Sequence, residues 1–371
     1  MKVFYLFNHP APYKIDFYNE LGKQCDLTVV LSRDQEKGRN NIFYSKKAEN
    51  FHLELAHGIP VGTYNCISSF PAKYLKRHLN EFDVIVINGY ATFAEMKCIR
   101  LLRRKKTPYI IEINGGIIAK RESFFKKWLK RHYIKGADLY LAPDENSKKY
   151  LIYYGAKESK VFLYPYSSVH RKEMLKSPLT QKEKTAIREQ YKLPEGTLYS
   201  TCGFFYPRKN FIRLIELFSK LNDSSHLLIV GEGEEKEAME KKIEELSIKD
   251  RVTITPFLKH EELLRLLSAT DAFLFLTKED IYGHVIIEAM SQGLPVVSSS
   301  FANAASRLIK DGENGYIVNP EDEETTIEAF RKVLSPDLGQ KAIDIASSFV
   351  IEEEADFHIR FFKEFLEKKG E

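Results

Sequence analysis

The sequence predicts an α/β protein built from two Rossmann-like parallel-sheet domains. Three observations carry that expectation. The chain has 371 residues, more than one compact core usually holds. Short apolar runs alternate with helical patterns along most of it, the mark of parallel sheets covered by helices. One long charged stretch interrupts the alternation near the middle.

In the first half the candidate strands are "KVFYLF", "DLTVVL", "DVIVIN", "YIIEIN", "DLYLAP" and "KVFLYP". Nearly continuous apolar runs of this kind suit strands buried on both faces. From about residue 167 the stretch "SSVHRKEMLKSPLTQKEKTAIREQYKLPEG" is charged and has no strand pattern, so it reads as a connection. A second series follows: "TLYSTCG", a helix over 210–221, "HLLIVG", a helix over 234–246, "RVTITPF", a helix over 259–269, "DAFLFL", a helix over 284–292, and "PVVSSS". The tail places Phe357, Phe361, Phe362 and Phe365 at helical spacing, which predicts an amphipathic closing helix. The expected domains are therefore 1–170, a linker 171–196, a second domain 197–350, and a closing helix 351–371 that crosses back to the first domain.

Composition limits the function classes. Hydrophobic residues make up 43% and charged residues 29%, an ordinary globular balance. The opening "MKVFYLFNHPAPYK" has too short an apolar run for a signal peptide, and nothing later approaches a membrane span. The expected location is cytoplasmic, with a peripheral place on the inner face of the plasma membrane as a second expectation. Cys25, Cys66, Cys98 and Cys202 are scattered without zinc spacing, so reduced core thiols are expected and no metal site. Residues 1–170 hold 28 Lys and Arg against 16 Asp and Glu (+12), and residues 171–371 hold 28 against 36 (−8), giving the net +4. The basic half suits an anionic partner: a phosphorylated substrate, a membrane surface or nucleic acid.

Ligands of open parallel sheets lie beyond the carboxyl ends of the strands, so the loops after Cys202, Val230, Phe257 and Leu276 should share one site. In "EDIYGHVIIEAMSQGLPVV", residues 279–297, a glycine precedes a helix start whose unpaired N–H groups favour an anion. Asp280 sits just before that turn, and Glu288, further into the helix, can accept two hydrogen bonds from a diol such as ribose. The same spacing also fits a plain strand-turn-helix unit with two solvated acids. In "CGFFYPRKNFIRLIELF", Arg208 and Lys209 leave the first strand of the second series at the same end of the sheet, where cations can grip a diphosphate. A solvated basic loop is the ordinary alternative.

These motifs together resemble the donor-binding domain of glycosyltransferase family 4, the glycosyl transferases group 1, of GT-B fold. The resemblance rests on Asp280 to Val297, Gly203 to Lys209, "IVGEGEE" at 229–235 and "LIKDGENGYIV" at 308–318. It implies two Rossmann-like domains facing each other across a cleft, a UDP- or GDP-sugar donor, retention of anomeric configuration and no metal. It assigns the diphosphate to Lys209, the ribose to Glu288, the transferred sugar to Asp280, and the phosphate seat to the N–H groups of Gly283, His284, Val285 and Ile286. Phe204, Gly231, Phe257, Leu258, Glu279 and Tyr282 complete the expected donor contacts. Two positions depart from the family. Asp280 stands where Glu is usual, with Glu279 beside it as a substitute, and Phe204 stands where an arginine is usual, which leaves Arg208 to supply the second cation. No two Asp residues lie two apart, so the common metal clamp for sugar diphosphates is missing.

The first domain resembles the same family's acceptor domain more loosely, through residues 136–168. His9, Glu112 and Asn114, at strand ends, are candidates to face the sugar or the acceptor hydroxyl, although a carboxylate within "IIEING" is costly unless paired. Residues 119–135 would form a helix with Phe124, Phe125, Trp128, Leu129 and Tyr133 on one side and Lys126, Lys127, Lys130 and Arg131 on the other. That pattern fits an interfacial helix on anionic lipid, and equally a helix whose aromatics enter the core. The expected function is transfer of a hexose or N-acetylhexosamine to a saccharide or polyprenyl-linked acceptor in bacterial surface polysaccharide synthesis, with no cofactor. The alternatives are a nucleotide-sugar epimerase of the same fold, and a basic nucleic-acid- or membrane-binding protein without catalysis. No nucleic-acid motif is present, and no nucleic-acid partner is expected.

Overall fold

A computed structural model describes residues 1–33, 47–56, 58–61, 65–119, 121–221 and 224–370. The chain divides into two units: Met1–Ser168 together with Val350–Glu371, and Val169–Phe349.

In the first unit the strands are β1 (Lys2–Phe7), β2 (Asp26–Leu31), β3 (His52–Leu55), β4 (Ile59–Val61), β5 (Asn65–Ile67), β6 (Val84–Asn88), β7 (Ile110–Glu112), β8 (Leu139–Ala142) and β9 (Val161–Leu163). Seven of them form one parallel sheet in the order β3-β2-β1-β6-β7-β8-β9, and β4 and β5 pair as a separate antiparallel hairpin. The helices are α1 (Pro12–Gly22), α2 (Phe70–His78), α3 (Phe93–Lys105), α4 (Phe124–Ile134) and α5 (Glu145–Tyr153). All six strands read from the sequence are present. The added edge strand β3 alternates His52, Leu53, Glu54 and Leu55 and is only partly buried, so it lacks the continuous apolar run that marks its neighbours.

In the second unit helix α6 (Gln181–Tyr191) precedes β10 (Leu198–Cys202), α7 (Phe211–Ser219), β11 (His226–Val230), α8 (Lys236–Glu245), β12 (Val252–Thr255), α9 (His260–Ser268), β13 (Ala272–Phe275), α10 (His284–Ser291), β14 (Val296–Ser299), α11 (Ala305–Leu308), β15 (Gly315–Val318), α12 (Glu323–Lys332) and α13 (Asp337–Ala346). The parallel sheet runs β12-β11-β10-β13-β14-β15, so strand order reverses between β10 and β13. That reversal opens the crevice in which Rossmann-like sheets bind ligands. The stretch 171–196 is part of this unit. Thr180 and Glu183 cap α6 reciprocally, and the buried Arg188 side chain reaches Ala269 O, Gly196 O and Asp271, at the N-terminal end of the sheet.

The last helix, α14 (Ile351–Gly370), belongs with the first unit and packs on α1. Phe361 and Phe362 are buried, with Phe361 against Phe162 and Phe362 against Tyr5. Beneath them lies a buried polar cluster that corrects one expectation. Glu112 faces no ligand: it is fully buried, and its carboxylate accepts from Tyr5 Oη (2.8 Å), Lys14 Nζ (2.9 Å) and Asn88 Nδ2 (2.6 Å), with His358 Nε2 3.0 Å away. Glu354 joins through Lys14 Nζ at 3.5 Å and the Ser167 N–H at 3.0 Å. Burial works against the charge on Glu112, but Lys14 and His358 outweigh it and hold the carboxyl below the usual range. Glu354 goes the other way: burial pushes it up to about 7, with Lys14 and His358 opposing.

Candidate active site

The loop after β10 and the loop after β13 flank the reversal of strand order, and they are knitted together. Arg208 O accepts from Lys278 N (2.7 Å) and Thr277 Oγ1 (2.8 Å), and Asn210 Nδ2 donates to Leu276 O (3.0 Å). The turn Pro207–Lys209 thereby brings Lys209 onto Asp280, where its ammonium contacts Oδ2 and lies 4.9 Å over the Phe275 ring. Arg208 Nη1 lies 4.0 Å from the same oxygen and donates to Glu279 O at 3.1 Å. Arg208 is thus a second cation beside Asp280. The lysine pairs with Asp280, while the Glu279 side chain is exposed.

Asp280 is held from several directions. Its N–H donates to Phe301 O, its carbonyl accepts from Asn303 N, and Oδ1 accepts the Tyr282 N–H at 3.3 Å. The chain then turns at Gly283, whose φ of 102° is a left-handed conformation natural to glycine, and enters α10. First-turn N–H groups of a helix have no intrahelical partner. Within the expected set, the Ile286 N–H donates to Gly283 O at 3.0 Å and the Ile286 side chain is fully buried. Tyr282 is buried, with its ring 5.0 Å from that of His284.

On the other side of the crevice Phe204 stacks on Phe257 (5.9 Å, 18°) and on Tyr206 (5.8 Å, 22°), beside the half-buried Leu258. Two close backbone approaches hold this wall. A Cβ on Gly231 would lie 2.0 Å from Gly203 O, and one on Gly233 would meet the Phe205 backbone at 2.6 Å. Glu288, on α10, is buried with His260 Nδ1 3.9 Å from Oε1. Cys202 is buried near it, and burial, with Glu288 adding to it, pushes the thiol up, so the thiol stays uncharged.

The structure thus gathers Gly203, Phe204, Arg208, Lys209, Asp280, Gly283 and Glu288 on the loops and helix starts at the carboxyl ends of one sheet. Residues 183–346 match the family model of glycosyl transferases group 1. The match covers a little under half of the chain, all of it within the second unit. The group 1 stretch holds every candidate donor residue. Among curated relatives, the alpha-D-kanosaminyltransferase of Streptomyces kanamyceticus is 26% identical over 235 residues, covering 60% of this chain and 58% of that protein. The lipopolysaccharide core biosynthesis glycosyltransferase LpsE of Rhizobium meliloti is 31% identical over 141 residues, covering 38% and 40%. The match therefore spans about half the length of these relatives. Among solved structures, Anabaena Alr3699/HepE in complex with UDP superposes with a TM-score of 0.78 at 18% identity, over 98% of this chain and 100% of that one. The two Rossmann-like units are those of the GT-B fold.

In the first unit His9 is buried, with its ring 5.9 Å from Phe7, and Asn114 accepts from Asn88 Nδ2 (3.2 Å) and Tyr164 Oη (3.4 Å). Helix α4 divides its aromatics: Tyr133 is buried and Leu129 packs on the core, whereas Phe124, Phe125 and Trp128 are 85%, 67% and 50% exposed. Lys120 lies outside the described residues. Cys25, Cys98 and Cys202 are free thiols, and the Cys66 side chain lies outside the described residues. No described helix is long and apolar enough to cross a membrane. Sequence reasoning did not single out Glu173, which lies against His260, or His260, which lies 3.9 Å from Glu288. The first lay in the stretch read as a linker, and the second in "LKHEEL", where the flanking charges masked a histidine at a helix start.

Proposed function

We propose that this chain is a retaining, metal-independent glycosyltransferase that moves a hexose or N-acetylhexosamine from a UDP- or GDP-sugar to a saccharide or lipid-linked acceptor in surface polysaccharide synthesis. The observation that carries the reading is the convergence of Lys209, Asp280 and the start of α10 beside the reversal of strand order. A diphosphate at that helix start would draw the Lys209 ammonium from Asp280, and the released carboxylate would turn to the hydroxyls of the transferred sugar. Glu288 would take the ribose hydroxyls. The bond between the anomeric carbon and the phosphate oxygen breaks, and the acceptor oxygen bonds to that carbon on the same face. The acceptor proton passes to the departing phosphate. Lys209 and Arg208 would offset the charge that collects there, without a metal. Crystal structures of Anabaena HepE that hold UDP and UDP-glucose support a nucleotide-sugar donor, and the kinship with LpsE supports a polysaccharide or lipid-linked acceptor. The exposed Phe124, Phe125 and Trp128 beside Lys126 and Arg131 support contact with an anionic bilayer carrying such an acceptor.

The test is turnover. Lys209→Ala and Glu288→Ala are each expected to lower transfer from UDP- or GDP-sugar by about 100-fold or more while the protein remains folded. Wild-type rates in both variants would remove the assignment.

A further inference from the structure

His260 opens α9 with a carboxylate at each ring nitrogen. Nδ1 lies 3.9 Å from Glu288 Oε1, and Nε2 lies 3.5 Å from Glu173 Oε2. Both acids are largely buried, with side-chain exposures of 11% and 14%. They are fixed to each other through one helix: Leu175 N donates to Ser291 O at 3.0 Å, and Gln292 Nε2 donates to Glu173 O at 2.9 Å, at the end of the α10 helix that carries Glu288. Glu173 Oε2 also accepts the His170 N–H at 2.7 Å. Burial would push the Glu173 carboxyl up, but the His260 ring and the His170 N–H outweigh it and hold it down, so it stays an anion.

A neutral imidazole has one N–H and one lone pair, so between two carboxylates it attracts one and repels the other. Only the imidazolium serves both. Among the described residues, His170 precedes Glu173, the Cys202 thiol lies near Glu288, and Lys259, Glu261 and Glu262 are the neighbours of His260 in sequence. A carboxylate that accepts two adjacent hydroxyls must keep its plane fixed, and side-chain rotation otherwise weakens both bonds.

Resting on the donor site proposed above, we propose that His260 is the positioning residue for Glu288: its imidazolium, braced by Glu173, fixes the carboxylate that receives the ribose hydroxyls. Nucleotide affinity therefore falls as the imidazole loses its proton.

The experiment is calorimetric binding of UDP, GDP and their 2′-deoxy forms to the full chain between about pH 5.5 and 8.5, with the melting temperature recorded for each variant. For the ribonucleotide that binds, wild-type Kd is expected to rise about tenfold with pH, and His260→Gln to bind at the weak, alkaline level throughout. The difference between the two proteins is expected to shrink sharply with the 2′-deoxy nucleotide, which offers Glu288 no diol. Glu173→Gln, which leaves the imidazole in place, is expected to move the wild-type transition to lower pH, and this arm decides the matter if His260→Gln does not fold. In turnover His260→Gln is expected to raise KM and leave kcat nearly unchanged. Tight, pH-dependent binding in His260→Gln, or an equal loss with the 2′-deoxy nucleotide, overturns the inference while leaving the donor site standing. Failure of the wild-type protein to bind either nucleotide overturns both.

Discussion

Lys209, which is partly exposed, and Glu354, which is fully buried, show how differently two ionisable side chains behave in this molecule. Lys209 is paired with one carboxylate, and on the proposed donor site a diphosphate would displace that pairing, so Asp280→Asn is expected to leave folding intact while lowering transfer by about 100-fold, read by steady-state kinetics. Glu354 has no such release. Burial penalises the Glu354 charge more than Lys14 and His358, both shared with Glu112, relieve it, so its carboxyl rises to about 7. A carboxyl whose folded pKa lies above its unfolded one stabilises the fold in its protonated form. That contribution is whole below about pH 4.5 and fades as pH climbs through 7, a loss on the order of 3 kcal/mol. Glu95 shares the sign, since burial lifts it to about 7 despite the Ala91 and Thr92 N–H groups, so the measurement is a difference: Glu354→Gln is expected to flatten part of the wild-type fall in melting temperature between pH 5 and 7.5. At this scale the sequence brings Lys209, Asp280 and Glu288 forward as candidates because each lies in a local pattern of strand end, glycine and helix start. It misplaces Glu112, because four of its partners come from β1, α1, β6 and α14, and no local window contains them.

Elements are more legible than residues, since each is written by its own period. The strands of the second unit read directly from apolar runs except β15, "GYIV", which is short and interrupted by tyrosine beside a charged turn. The loops between strands are less legible, because their shape depends on close approaches between segments far apart in sequence. Gly231 is the sharpest case: any side chain there meets the carbonyl of Gly203, and its φ of 151° disfavours other residues. Gly231→Ala is expected to cost at least about 2 kcal/mol and to weaken nucleotide binding, measured by denaturant unfolding and calorimetry. Helix α4 is the opposite case, an element found in full whose partner a periodicity cannot choose. Replacing Phe124, Phe125 and Trp128 with serine is expected to leave the melting temperature unchanged and to abolish sedimentation with anionic vesicles.

For the whole molecule, the two-sheet architecture follows from length and alternation, but the division of the chain does not. Sequence places a linker at 171–196, and these residues pack within the second unit because Arg188 and Lys184 reach the carboxylate of Asp271 below its sheet. Truncation after Phe349 is expected to abolish cooperative melting of the first unit while the second still unfolds as one body, read by calorimetry as a single remaining transition. The first unit is assembled from the segments on either side of the second: α14 supplies His358 and Glu354 to a cluster begun by Tyr5 and Lys14. A ribosome delivers these groups in order, so the segment Val169–Phe349 can reach its final shape while the amino-terminal sheet, though synthesised earlier, still waits for its last helix. Residues made earlier are thus completed by residues made later, and until Ile351–Gly370 emerges Lys14 and Glu112 have each other but lack Glu354 and His358.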